Sequence, residues 1–248
     1  MFKLKRRLFI VGAVAALGGC APVTNALNNA GAVHNVIDLA EPLDHGLIGT
    51  HGLAKLYPAS AIDRNFPMNG FSTPMDATYL RWLRTGFAGY RLQVGGLVEK
   101  PLSLSLADLR RAATLSQITR LDCVEGWSVV GQWSGVPLAW LLAQVQPARA
   151  ARYAVFHTLD RDDQGVPYYE SLDLHQAMAP QTQLALGLNG KPLGPDYGAP
   201  VRLRIPTQLG YKSAKWVHRI ELVASFDSIA GGNGGYWEDQ GYEWYAGI

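Results

Sequence analysis

The run Leu121-Asp122-Cys123-Val124-Glu125-Gly126-Trp127-Ser128 carries a thiol with no evident partner. Only two cysteines occur in the 248-residue chain, Cys20 and Cys123. Three chemistries are open to Cys123. It can be a small core residue, since free cysteine is among the most buried residue types. It can be a nucleophile, which needs a lowered pKa and a nearby base; His157 is the candidate base. It can be a ligand, because a thiolate is a soft donor suited to transition metals. Asp122 and Glu125 beside it do not help a thiolate form. Gly126-Trp127 reads as a turn where something large and flat could sit. These residues alone leave all three roles open.

Other chemistry-bearing patterns are sparse. The six histidines, at 34, 45, 51, 157, 175 and 218, form no close metal-spaced pair. There is no G-x-G-x-x-G after a strand, no P-loop lysine, no G-x-S-x-G and no H-E-x-x-H. Nicotinamide, simple nucleotide and zinc-hydrolase chemistry lose most of their support.

Cys20 has its own explanation. Residues 1–20 open with Lys3, Lys5, Arg6 and Arg7, continue with an apolar run from Leu8 to Leu17, and end in small residues. The run is shorter than the about 20 residues of a spanning helix, so 1–19 reads as a signal peptide. Arg6-Arg7-Leu8-Phe9-Ile10 resembles a twin-arginine export motif. Leu17-Gly18-Gly19-Cys20 resembles a bacterial lipobox, which makes Cys20 the expected lipidation site. Lipidation consumes Cys20 and leaves Cys123 without a disulfide partner in an oxidising compartment. The expected location is the periplasm, with a lipid anchor in the cell-envelope membrane. The formal charge of +2 owes its sign to this leader. Without its four cations, the 22 basic residues become 18 against 20 acidic ones, so no nucleic-acid footprint remains.

The elements that must position Cys123 are many and short. Residues 20–57 read as a tether, and 58–248 as the folded domain. Tyr90–Leu97 alternates as a half-buried strand and ends in Gly95-Gly96. Ser105 and Asp108 cap a helix reaching Ala113. Ser116–Val124 alternates again. Pro137 starts a helix to Val145. Tyr153–Thr158 is a strand and Leu172–Met178 a short helix. Asn189-Gly190 turns a hairpin between Leu184–Leu188 and Lys191–Leu193. Val201–Ile205 and Trp216–Val223 are further strands. The absence of a βαβ rhythm predicts an α+β fold, with mixed β-sheets and short helices.

Three separated segments together resemble the molybdopterin-dependent oxidoreductases of the sulfite oxidase superfamily. The first is Cys123-Val124-Glu125-Gly126-Trp127-Ser128 with Trp133-Ser134-Gly135-Val136-Pro137-Leu138. The second is Phe156-His157-Thr158. The third is Asn189-Gly190-Lys191-Pro192-Leu193, Gly198-Ala199-Pro200-Val201-Arg202-Leu203 and Gly210-Tyr211-Lys212-Ser213-Ala214-Lys215-Trp216. Order and spacing match from about residue 60 to about 223. The resemblance implies the sulfite-oxidase-type fold and a molybdenum–molybdopterin cofactor, with Cys123 as metal ligand and catalytic residue. It implies cofactor contacts from Arg64 and Asn65 in an early motif, from Thr158, from Tyr197 where a close branch has Asn, from Arg202, and from Ser213, Ala214 and Lys215. The expected chemistry is oxygen-atom transfer.

Val-Glu-Gly-Trp-Ser after the cysteine resembles the protein-methionine-sulfoxide reductase branch. That implies a small-molecule or protein-borne S-oxide substrate and a haem-containing membrane redox partner. About 25 residues follow the last matched strand, too few for the dimerisation domain of true sulfite oxidases, so a monomer is expected. Sulfite oxidation is the alternative; it needs convergent cations, for which Arg120 and Arg161 are candidates. A cofactor-free lipoprotein that kept the fold as a binding module is a third reading, from another class. The tail from Tyr236 to Tyr245 is strongly aromatic, and either lines the pocket or caps the sheet.

Overall fold

A computed structural model describes residues 52–248. The signal peptide, Cys20 and the tether as far as His51 lie outside the described residues. Among those described, no helix is long and apolar enough to cross a membrane.

The described residues build two five-stranded sheets. The first has the order β2-β1-β10-β5-β6, from Leu102–Ser105 (β2), Arg91–Gly96 (β1), Val217–Val223 (β10), Tyr153–Arg161 (β5) and Pro167–Asp173 (β6). The second joins Leu115–Asp122 (β3), Ser128–Pro137 (β4), Gln183–Leu188 (β7) and Lys191–Pro192 (β8), with Arg202–Arg204 (β9) pairing β7. β1 and β10 run parallel and the other pairs antiparallel. Sequence alternation becomes sheet facing directly: Leu92 and Val94 of β1 are buried while Arg91 and Gln93 face out. The main core gathers Leu92, Phe156, Ile220 and Leu222 of the first sheet against Leu138, Leu141 and Leu184. A second cluster packs Cys123 with Leu121, Trp133, Phe66 and Ala199.

Local signals explain the elements that the sequence foretells. Ser105 and Asp108 form a reciprocal capping box on Leu106–Ala112 (α2). Pro137 leads into Leu138–Val145 (α3). Asn189 (φ 51°) and Gly190 (φ 75°) turn the β7–β8 hairpin with the positive angles that such a turn requires.

Some elements differ from expectation. Ala77–Arg84 (α1) forms a helix capped by Asp76, whose side chain accepts from Thr78 and Tyr79 N–H at 2.8 and 3.0 Å. β2, β4 and β6 lie where the sequence pattern predicts no strand. The helix expected over Leu172–Met178 is shorter: β6 runs through Asp173, which then caps the single turn Leu174–Ala177 (α4) by accepting from Gln176 N–H at 2.6 Å. Part of the expected tether is tied to the sheets: Tyr57 N–H donates to Ile118 O at 3.0 Å, and Ala54 N–H to Gln181 Oε1 at 2.7 Å. The aromatic tail closes the free edge of the first sheet. Gly235 bridges Glu170, and Tyr236 N–H donates to Tyr169 O at 3.0 Å. This removes an exposed strand edge and buries Glu170 and Ser171 of β6.

Candidate active site

β3 ends at Asp122, and the chain turns at once. Gly126 N–H donates to Cys123 O at 3.0 Å and Cys123 N–H to Trp127 O at 2.8 Å. Gly126 takes φ 90°, which a residue with a Cβ rarely adopts. Cys123 therefore sits just past the strand rather than within it. It is 8% exposed and lines a cavity of about 130 Å³ together with Asn69, Asp160, Tyr211, Lys215 and Trp237. Burial pushes its thiol pKa up, while the charge of Arg202 pulls it down. Among the described residues, no group of three or more His, Cys, Asp or Glu side chains could hold a metal.

Cations converge on this thiol. Arg202 is fully buried. Its Nη2 donates to Asn69 Oδ1 at 2.9 Å and its Nη1 to Tyr197 O at 3.4 Å, while Nε has no partner. Burial pulls its pKa down to about 10. Lys215 Nζ donates to Phe71 O and, at 3.1 Å, to Asp196 O, and lies 4.2 Å from the centre of the Trp216 ring. Burial first, then the charge of Arg202, pushes its pKa down to about 7. Lys215 packs tightly on Gly198, where an added Cβ would lie 2.9 Å from Lys215 Cβ. Asp160, also buried, is pushed up to about 6 by desolvation. Thr158 Oγ1 hydrogen-bonds it and reaches Tyr168 O at 2.7 Å.

The donor set fits the implied cofactor. A buried guanidinium with an unused N–H and a desolvated ammonium together make a site for an anion such as a phosphate. Neighbouring Ser213 and Ala214 also line the cavity wall. The free thiol supplies a soft ligand.

The residues singled out in the sequence divide into two groups. Cys123, Ser213, Ala214 and Lys215 line one cavity, and Arg202 reaches Asn69 on its wall. Thr158 is buried and bonded to Asp160 of that wall. Arg64 and Asn65 have exposed side chains outside the lining. The Tyr197 hydroxyl donates to Phe66 O at 2.7 Å, and its ring packs on the cluster that holds Cys123 without lining the cavity. His157, the candidate base for a nucleophile, bonds Glu221 at 3.0 Å and is absent from the cavity lining. Sequence reasoning passed over Asn69, Asp160 and Arg204. Arg204 had one available signal: it stands two residues after Arg202 on a strand, hence on the same face.

Comparison with known proteins accords with this arrangement. The sequence profile described as "Oxidoreductase molybdopterin binding domain" matches residues 82–228, more than half of the chain. A provisionally named protein-methionine-sulfoxide reductase subunit YedZ1 of Azospira oryzae is 36% identical over 98% of this chain and 86% of its own length. The protein-methionine-sulfoxide reductase catalytic subunit MsrP of Xanthomonas axonopodis pv. citri is 44% identical over 57% of this chain. The chain spans about half the length of that relative, 47%. The solved sulfane dehydrogenase SoxCD of Paracoccus pantotrophus superposes with a TM-score of 0.50 at 26% identity, covering 56% of this chain and 39% of its own. With its mixed sheets, short helices and cysteine-centred cavity, the chain belongs to the family of oxidoreductases with a molybdopterin-binding domain and the sulfite-oxidase-type fold.

Proposed function

We propose that this oxidoreductase holds a molybdenum–molybdopterin cofactor through Cys123 and reduces neutral S-oxides of the methionine sulfoxide type. One observation carries the reading: a buried free thiol shares a cavity with Lys215 and lies beside buried Arg202, two cations suited to an anionic group. On this reading, Cys123 binds the metal, and Arg202, Lys215 and the Ser213-Ala214 main chain hold the cofactor's anionic and polar edge. Thr158 is assigned a supporting contact through its side chain. Arg64 and Asn65 stay exposed outside the cavity lining, and Tyr197 contributes its carbonyl to Arg202 Nη1. When bound, the cofactor supplies two-electron redox chemistry and a site for oxygen-atom transfer. In the net reaction the S–O bond breaks, sulfur gains two electrons, and the oxygen leaves as water with two protons.

The protein's own residues shape the substrate side. Phe71, Val124, Tyr211, Trp237 and Tyr242 make the lining aromatic and apolar, which suits a neutral organic molecule. Sulfite, an anion, has less support. Arg120 is half-exposed and pairs with Asp122 at 2.8 Å, Arg161 donates to Gly165 O at 2.9 Å, and neither lines the Cys123 cavity.

Residues 1–20 support export by the twin-arginine route and a lipid on Cys20 at the envelope membrane. Such an anchor would keep a haem-containing membrane donor close to a monomeric enzyme. Metal analysis of protein made through its native export route tests the core of the proposal. Near-stoichiometric molybdenum is expected, with S-oxide turnover exceeding sulfite oxidation. Cys123→Ser should fold yet lose turnover. Absence of molybdenum with Cys123 intact would favour the binding-module reading instead.

A further inference from the structure

The aromatic tail lies beyond residue 228, where the family match ends, yet it builds one wall of the Cys123 cavity. Trp237 and Tyr242 both line that cavity. Their rings stack with centroids 5.2 Å apart at 29°. Tyr211 meets Tyr242 edge-on at 5.5 Å, and Tyr236 meets Trp237 edge-on at 5.2 Å. Tyr242 remains 38% exposed, so the wall runs from the cavity to solvent.

This wall is fastened rather than draped. Glu238, next to Trp237, is buried in an ion pair with Lys212, which also pairs with Glu170 at 2.7 Å. Tyr211 donates its hydroxyl proton to Glu243 O at 2.7 Å. Asp239 accepts from Tyr169 Oη at 2.8 Å and from the N–H groups of Gly231 and Asn233 at 3.0 Å. Tyr242 N–H donates to Trp237 O at 3.0 Å, which fixes the two rings relative to each other.

Stacked aromatic faces bind apolar arms and make favourable contacts with sulfur. The tail, residues 231–248, contains no lysine or arginine, and the Lys212 beside it is occupied by two carboxylates. We propose that Trp237 and Tyr242 are specificity-determining residues that receive the organic arm of a neutral S-oxide and favour aryl or long alkyl arms over methyl. The inference rests on the S-oxide reading above.

The test uses the molybdenum-loaded full chain with reduced viologen as electron donor. Methyl phenyl sulfoxide is compared with dimethyl sulfoxide. Trp237→Ala should lower the ratio of their kcat/KM values about tenfold, mainly by raising KM for the aryl substrate. Tyr242→Ala should act in the same direction, and Trp237→Phe should restore most of the ratio. Calorimetric binding of methyl phenyl sulfone, an unreduced probe, should weaken about tenfold in Trp237→Ala, with molybdenum content unchanged. An unchanged ratio and unchanged sulfone affinity in both alanine variants overturns the inference, as does loss of molybdenum from them. Should the wild-type protein lack molybdenum, or reduce neither sulfoxide, the underlying reductase reading fails, and sulfone binding alone then decides what the wall recognises.

Discussion

Arg202 and Arg204 lie over the same side chain, their guanidinium carbons 5.2 and 5.4 Å from the Trp133 ring centre. Both are fully buried, and no carboxylate pairs with either among the described residues. Burial pulls Arg204 down to about 9, with Arg202 adding to the effect. Their hydrogen bonds go to carbonyls, Thr119 and Asn69, and each Nε is unpartnered. Buried charge without a counter-ion costs several kcal/mol, and on the proposed reading the cofactor's anionic group offsets that cost. Arg202→Met should therefore raise the melting temperature of cofactor-free protein, by about 2–4 °C per kcal/mol gained, while lowering molybdenum content. Arg202→Lys should not restore metal retention, because an ammonium lacks the planar fork. A less stable apoprotein that keeps its molybdenum would contradict the argument.

Lys215 gives a pH signature. Its pKa falls from 10.5 to about 7 on folding. The folded state is penalised fully while both states carry the charge, below about 7. The penalty is relieved as pH rises from about 7 towards 10.5, where the unfolded chain binds more protons. Cofactor-free Lys215→Met should gain most over wild type near pH 6 and lose that advantage towards pH 10. Thermal melts of both proteins across that range check this; a pH-independent difference would mean that Lys215 is already neutral or well solvated.

The site's centre was legible because it is local. Cys123 through Ser128 is one short run, and Gly210 through Trp216 another. The strand over Ser128–Pro137 was not, for a physical reason. Its inward positions include Gly131, where an added Cβ would lie 2.7 Å from Phe66 Cε2. Close packing there demands a residue that otherwise marks turns. β6 was hidden differently: Tyr168 to Leu172 are buried on both faces because the tail covers them, so no alternation shows. Asn69, Asp160 and Trp237 come to the cavity from three distant segments. No spacing along the chain announces such a meeting; it follows from the two-sheet topology and the fastening of the tail.

The fastening is itself testable. Lys212 pairs with both Glu170 and Glu238, a buried cluster of one cation and two carboxylates. Desolvation pushes the Glu170 carboxyl well above its ordinary value; the Lys212 charge opposes this and the neighbouring Glu238 adds to it. Glu170→Gln removes one carboxylate but leaves Lys212 paired with Glu238, and should cost about 1 kcal/mol. Lys212→Met strands two buried acids and should cost about 3–5 kcal/mol. Denaturant melts measure both. Faster proteolysis after residue 230 should accompany the Lys212 variant alone; equal losses for the two variants would mean that Lys212 is not what fastens the tail.

Gly198 couples backbone geometry to the cation. It takes φ 99°, and an added Cβ would lie 2.9 Å from Lys215 Cβ and 3.0 Å from Lys215 Cα. Gly126 has a similar angle, φ 90°, but nothing lies within 4 Å of its virtual Cβ. Gly126→Ala should therefore cost only left-handed strain, about 1 kcal/mol. Gly198→Ala adds overpacking of about 1–3 kcal/mol and pushes Lys215 off the cavity wall. Molybdenum content should fall in Gly198→Ala and hold in Gly126→Ala, with the stability difference read from thermal melts. Equal behaviour of the two variants would mean that the Lys215 contact yields without consequence, and that the lysine's position does not depend on the missing side chain at 198.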